Sequence, residues 1–403
     1  MARVDAFRAL HYDLNRTGGL EPVVAPPYDV IDDDERQELL RKSPYNVVEI
    51  DLPKGDDPYA HAAETFARWQ QDAVLVRDAE PALWALEQDY TGPDGRRRTR
   101  HGIFARVRVE DYGPGRIRPH ERTHPGPKED RLRLTRATNA NLSPIFSLYD
   151  DPSGAAWDAV APTGAPWGEV TDGDGTVHRL WRVGDGAAAA AALADKELLI
   201  ADGHHRYETA RVYRDEGGAD HVLMCLVAIQ DPGLTVFPTH RLLTDLDDGR
   251  REALRDTLTS AFELHPVEPD ALGANGHIGY LDAFHGRPLS LTLKDPRIAA
   301  QALPDKPEAY RGLDTAILEA VVLEQALGMT EDDISQLRGL DYARSTDEAR
   351  RRVESGDAQA AFFMTSTPVE QVRAVAATGE SMPPKSTYFF PKVLTGMVFN
   401  RLD

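Results

Sequence analysis

The sequence predicts an α+β fold with mixed sheets and not a doubly wound one, on three observations. Strands and helices are interspersed without strict alternation. The runs Leu83 to Tyr90 and Gly102 to Val109 flank the turn Gly92-Pro93-Asp94-Gly95 as hairpin arms do, and His221 to Gln230 has the apolar interior of a strand buried on both faces. With 403 residues, 41% apolar and 28% charged, the chain is globular in composition and long enough for a substantial core. Length and shifts in composition suggest three regions, 1–150, 151–300 and 301–403.

In chain order, Asp32 is placed to cap a short helix to Lys42, with Glu35 three residues on. The segment Asn46 to Leu52 reads as a strand. Pro58 opens a helix to about Ala73, in which Ala63, Phe66, Ala67 and Gln70 follow helical spacing. In the hairpin, Ile103, Ala105, Val107 and Val109 alternate as one buried face. Ile117 to Pro127, rich in Pro, His and charge, reads as a loop, and Glu129 to Asn139 as a helix with a basic face. Ile145 to Tyr149 is a strand, and Asp150 to Asp174 a connection dense in Asp, Pro, Gly and Ala. Ala187 to Ala192 reads as a solvated helix. Glu197 to Ala201 is a strand, Asp202-Gly203 a turn, and His205 to Glu216 a helix ended by Gly217-Gly218. The last third holds a helix over Asp314 to Leu327, a strand at Ala361 to Ser366, a helix from Pro368 and the tail Met382 to Lys392. No internal repeat is present.

The balance of 46 basic and 66 acidic residues gives a net charge of −20, which repels polyanions and disfavours nonspecific nucleic-acid binding. Cys225 is the single cysteine, so an intrachain disulfide and a multi-cysteine metal site are excluded, and its apolar surroundings mark it as a small core residue. No apolar stretch reaches the roughly 18 residues needed to span a bilayer. The opening Met1-Ala2-Arg3-Val4-Asp5 lacks a signal peptide's apolar centre. The expectation is a cytoplasmic protein that does not enter a membrane.

The strongest chemical signal is the strand-turn-helix Leu198 to Ala210. A glycine at the turn lets backbone approach an anion closely, and a helix N-terminus attracts negative charge. Arg206 adds a two-pronged donor suited to phosphate oxygens, while His204 and His205 add donors that can also carry charge. The plainer reading has Asp202 capping the helix and the basic side chains solvating it.

Six segments resemble the signature blocks of the DUF1015 family, in order and over nearly the whole chain: Pro26-Pro27-Tyr28-Asp29-Val30, Asn46-Val47-Val48-Glu49, His120-Glu121-Arg122-Thr123, Ala201 to Tyr207, Pro238-Thr239-His240-Arg241 and Pro384 to Lys392. The Asp202-Gly203-His204-His205-Arg206 box in turn resembles the phosphate-binding box of the ParB, sulfiredoxin and free serine kinase superfamily. That resemblance implies a ParB/sulfiredoxin-like nucleotide-binding core with additional α/β elements, and phosphates held by Asp202, Gly203, His204, His205 and Arg206. Free serine kinases transfer phosphate to the hydroxyl of free serine, with an acidic residue upstream of the box as base. The helix-turn-helix that follows the box in DNA-binding ParB proteins is not found here.

The segment from His120 to His124 also matches H-E-x-x-H, but a zinc hydrolase needs both histidines on one helix, and Pro119, Pro125 and Pro127 oppose that. A loop presenting Glu121 as general base, with His120, Arg122 and Thr123 as substrate contacts, suits phosphoryl transfer, where a carboxylate must reach the acceptor hydroxyl; a solvated charged loop is the alternative. Lys385-Ser386-Thr387 has phosphate-binding side chains but lacks the glycine framework of a P-loop. Lys385, Ser386 and Lys392 are therefore accessory candidates, beside packing by Tyr388, Phe389 and Phe390. Tyr28 and Asp29 are pocket candidates or parts of a rigid turn. The expected function is nucleotide-dependent phosphate transfer to the hydroxyl of a small metabolite, free serine leading, with ATP or ADP and Mg²⁺. The alternatives are a nucleotide-binding regulatory protein without transfer and, third, zinc hydrolysis at His120 and His124.

Overall fold

The computed structural model describes residues 3–403 apart from 93, 122, 124, 185 and 274. The chain forms two compact units. The first comprises residues 1–119, 123–234 and 391–403, and the second comprises residues 120–122 and 235–390.

The first unit is built on a mixed sheet of nine strands: β1 (Val4–Asp5), β2 (Leu83–Thr91), β3 (Arg97–Arg108), β4 (Ile117–Arg118), β5 (Ile145–Tyr149), β6 (Gly168–Thr171), β7 (Val177–Val183), β8 (Leu198–Asp202) and β9 (His221–Ala228). Their order is β4–β8–β5–β9–β3–β2–β7–β6, with β1 also on β3. The β4/β8 and β5/β9 pairs are parallel and the others antiparallel, which is the mixed α+β arrangement expected. The hairpin forms as expected. Ile103, Ala105 and Val107 point into a core with Ile145, Ile200, Met224 and Leu226, and each such fully buried aliphatic side chain contributes roughly 1.5–3 kcal/mol. The helices of this unit include α1 (Asp33–Lys42), α2 (Pro58–Gln71), α3 (Pro125–Thr138) and α4 (His204–Asp215). Asp32 caps α1 by accepting the Glu35 amide, as its spacing predicts, and α3 packs on both α2 and α4.

Several local expectations change. The segment Asn46 to Leu52 is not a strand but contains a one-turn helix, Val48–Asp51. Asn46 is the cause: its amide donates to the Pro22 and Val24 carbonyls at 2.9 and 3.1 Å, and its oxygen accepts the Val48 N–H at 3.1 Å. The side chain thus stands in for a strand partner and starts a turn, overriding the β preference of the valines. Helix α3 starts at Pro125, not Glu129, because proline is tolerated in a first turn. The Ala187–Leu193 helix is not solvated all round, since Ala189 and Leu193 enter the core. Within the first unit β5 pairs with β8, and helix Pro296–Ala302 belongs to the second.

The second unit carries a six-stranded antiparallel sheet of β10 (His240–Leu243), β11 (Phe262–Pro266), β12 (Ile278–Asp282), β13 (Leu289–Leu293), β14 (Leu340–Ala343) and β15 (Ala360–Phe363), in the order β11–β13–β12–β15–β10–β14. Alternation sends neighbours to opposite faces. Leu243 and Phe362 meet α5 (Asp248–Ala261) and the helix that begins as α6 (Asp314–Ile317) and continues in π geometry through Leu318–Ala326. Leu242 and Phe363 pack instead with Ala349 and Val353 of α7 (Thr346–Glu354). Among the described residues, no helix is long and apolar enough to cross a membrane.

Candidate functional site

The box stands where β8 passes into α4. Leu198, Leu199, Ile200 and Ala201 are buried, and the register against β5 slips between Ile200 and Asp202, an irregularity that re-aims the last side chain of the strand. Gly203 then turns with φ of +96°, and a Cβ there would lie 2.9 Å from Nε of Arg206. Both features favour glycine, since a side chain there would strain the backbone and displace the Arg206 guanidinium. Asp202 Oδ1 accepts from Nζ of Lys392 at 2.7 Å, and its Oδ2 accepts from Nη2 of Arg206, one helical turn on, also at 2.7 Å. Burial alone would raise the Asp202 proton affinity, but the Lys392 and Arg206 cations prevail and hold the carboxyl well below the usual range. Nη1 of Arg206 donates to Ser143 Oγ at 2.7 Å and to the Pro144 carbonyl. Both terminal nitrogens of Arg206 are thus engaged inside the unit. His204 is buried and His205 half-buried.

A second tier of charge backs Arg206. Arg131 of α3 donates through Nη1 to the Asp51 carbonyl and carboxylate at 2.7 and 3.2 Å, and its guanidinium lies 4.3 Å from the centre of the Tyr28 ring. Tyr28, Asp51, Arg131, Ser143 and Arg206 share the lining of a cavity of about 40 Å³, room for water but not for a nucleotide. Burial pushes the Tyr28 phenol up to about 12, against the pull of Arg206 and Arg131, and raises Asp51 against the same two cations.

Lys392 is placed by a polar ladder on the central strands. Gln88 of β2 is in register with Arg100 of β3 and His178 of β7, and all three are no more than 1% exposed. Arg100 grips Gln88 Oε1 and the Pro391 carbonyl. Gln88 Nε2 donates to the Lys392 carbonyl at 3.0 Å and to His178 Nδ1 at 3.1 Å, while His178 Nε2 meets Asp172 at 2.8 Å. These bonds fit a neutral His178 ring, and burial lowers its proton affinity in the same sense. Burial also brings Arg100 down to about 10; its Nη1 has no hydrogen-bond partner among the described residues. None of Gln88, Arg100, His178 and Asp51 stood out by motif, and Arg131 stood out only as part of a basic helix face. The available signal was a charge on the second face of a strand, Arg100, whose neighbours Gly102 and Phe104 on that face are buried.

The second unit gathers the other candidates. Glu121 bridges to Met382 in parallel fashion, the Met382 amide donates to the His120 carbonyl at 2.7 Å, and the Lys385 amide approaches Glu121 Oε1 at 3.5 Å. His120 Nε2 lies 2.8 Å from Thr387 Oγ1. Two sequence motifs more than 250 positions apart therefore meet. Lys385 has φ of +56°, and its carbonyl and that of Pro384 are held by Nη2 of the buried Arg241 at 3.2 and 3.0 Å. Ser386 is buried, its hydroxyl donating to the Pro383 carbonyl at 2.7 Å and lying 3.0 Å from Thr315 Oγ1. Arg122 and His124 lie outside the described residues, and Thr123 belongs to the first unit. Among the described residues, no group of His, Cys, Asp or Glu is arranged to hold a metal ion.

A sheet-based α+β fold with a strand-glycine-helix turn set among buried cations defines the class. The chain belongs to the DUF1015 family of proteins of unknown function, whose model matches residues 4–316. No curated protein matches it. Among solved structures it is similar to a conserved hypothetical protein from Pyrococcus furiosus, at 13% identity and a TM-score of 0.37 over 71% of this chain and 90% of that one. A free serine kinase in complex with AMP is similar at 12% identity and a TM-score of 0.39, over 71% of this chain and 86% of that one. SbnI with a C-terminal truncation, from Staphylococcus aureus, is similar at 13% identity and a TM-score of 0.38, over 72% and 85%.

Proposed function

We propose that this chain binds a nucleotide at the Asp202–Arg206 turn and transfers a phosphate to the hydroxyl of a small metabolite, free serine being the leading acceptor. The observation that carries the reading is a local surplus of positive charge. In a chain of net charge −20, the buried Arg131 and Arg100 and the half-buried Arg206 and Lys392 gather around Asp202, Asp51 and the more exposed Asp130. Four cations against three carboxylates leave one positive charge over, which an anion would stabilise. The strand-glycine-helix turn beside them is a suitable geometry for phosphate, and the resemblance of the box to that of free serine kinases points the same way.

In this reading Gly203 keeps side-chain bulk away from the phosphates, His204 and His205 open the helix beside them, and Arg206 and Lys392, held by Asp202, supply fixed charge. By the same resemblance Glu121 is assigned the role of base, taking the acceptor proton as the hydroxyl oxygen bonds to the transferred phosphorus and the bond to the leaving nucleotide oxygen breaks, and His120 and Lys385 beside it in the second unit are assigned to acceptor contacts. Mg²⁺ is assigned to the nucleotide's own oxygens, since the described residues offer it no ligand set.

The test is an assay of purified protein with ATP or ADP, Mg²⁺ and a panel of hydroxylated amino acids, read by mass spectrometry. Product is expected from the parent chain, and Glu121→Gln is expected to cut the rate by about 10²-fold or more while leaving nucleotide affinity within a few-fold. Nucleotide binding without product under any condition sinks transfer and leaves the regulatory alternative. No nucleotide binding removes the site itself.

A further inference from the structure

The second unit holds an open pocket of about 570 Å³, of the size that small-molecule ligands fill. Its walls are largely apolar: Phe262 of β11, Ile278 of β12, Leu291 and Leu293 of β13, Ala299 of helix Pro296–Ala302 and Ile317 of α6. The carboxylate of Asp314, only 7% exposed, forms part of this lining. Its Oδ2 accepts from the Gly276 amide at 2.9 Å and, less closely, from Thr365 Oγ1 at 3.4 Å. Its Oδ1 has no hydrogen bond, and the group has no ion-pair partner, among the described residues. Burial raises its proton affinity against the two hydrogen bonds and the field of His277.

The two arginines of the lining do not balance it. Arg297 is paired with Asp295 at 2.5 Å, and Arg311 donates to the Leu303 and Pro304 carbonyls at 3.0 and 2.6 Å. With Arg297 neutralised by Asp295, the lining keeps Asp314 and Glu308 against the single charge of Arg311, whose guanidinium is occupied by carbonyls, so the pocket carries a surplus of one negative charge. A buried carboxylate with a vacant oxygen and apolar walls is complementary to a cation on a hydrocarbon body. We propose that this pocket is a binding site for an organic amine, with the ammonium on Asp314 and the apolar part against Ile278, Leu291 and Ile317. The site is independent of the phosphoryl-transfer reading.

The test is titration calorimetry of the full chain with 2-phenylethylamine and its uncharged counterpart 2-phenylethanol. Saturable binding of the amine is expected, with the alcohol and the Asp314→Asn variant each weaker by about ten-fold or more. Because Asp314→Asn can disturb the Gly276 loop, Ala300→Phe, which fills the pocket from its helical wall, serves as a second variant and is expected to abolish amine binding without loss of cooperative unfolding. Equal affinity for amine and alcohol, unchanged binding in Ala300→Phe, or no saturable amine binding at millimolar concentration overturns the proposal.

Discussion

Lys392→Met removes one of the two cations on Asp202 while leaving the backbone bonds that Arg100 and Gln88 make to Pro391 and Lys392. Breaking a fully buried ion pair costs about 3–5 kcal/mol. Here both partners keep 17% of their side-chain surface, and Arg206 remains on the other carboxylate oxygen at 2.7 Å, so roughly 2 kcal/mol is the reasonable expectation. At a urea dependence of about 2 kcal/mol per molar, the unfolding midpoint falls by roughly 1 M. Tryptophan fluorescence reads this without interference from the second unit, because Trp69, Trp84, Trp157, Trp167 and Trp181 all belong to the first. The pH dependence has a definite sign. Asp202 is depressed in the folded state, so its stabilisation is complete above the unfolded value of about 3.9 and is lost as pH falls through the folded one. The gap between parent and variant should therefore be full at pH 7 and close on acidification below about pH 4. Coincident midpoints at neutral pH, or a gap equally wide at pH 2, would refute the ion pair as described.

Two further substitutions probe the same region by the same fluorescence measurement. Gly203→Ala places a Cβ 2.9 Å from an arginine that is pinned at both terminal nitrogens, on a backbone with φ of +96°; a loss of about 1–2 kcal/mol is expected, and parental stability would mean that the turn does not need glycine. Arg100→Met strips donors from Gln88 Oε1 and the Pro391 carbonyl, and a loss of about 2 kcal/mol with weaker ADP binding is expected; a more stable variant would show that the ladder is not needed to place Lys392.

The strong periodic elements were legible in the sequence: the hairpin, the strand-turn-helix of the box, the apolar strand around Cys225 and the helix capped by Asp32. The strand expected at Asn46 to Leu52 was not there, because one buried amide side chain replaces the ladder partner that the valines would otherwise seek. The box was visible as a string of residue types, but the engagement of Arg206 with Asp202, Ser143 and Pro144 depends on a partner 62 positions away and on the return of Lys392. Likewise, His120 and Glu121 could be singled out, whereas their meeting with Lys385 and Thr387 is a long-range fact of packing. Asp51 carried no pattern, and Arg131 showed only as one charge of a basic helix face. Their significance comes from being buried together, which no local spacing reports.

The segment from Pro391 onward belongs to the first unit, although the chain completes the second unit before reaching it. Asn400–Arg401 pairs with Ala140–Asn141, and Asp403 meets Arg77 at 2.8 Å. On the ribosome, then, the first unit waits. Its Arg100 and Asp202 are synthesised early but lack Pro391 and Lys392 until the second unit has left the tunnel, so a nascent chain stopped anywhere before residue 391 carries the box without the lysine that restrains it. Order of synthesis thereby ties completion of the Asp202–Arg206 turn to completion of both units.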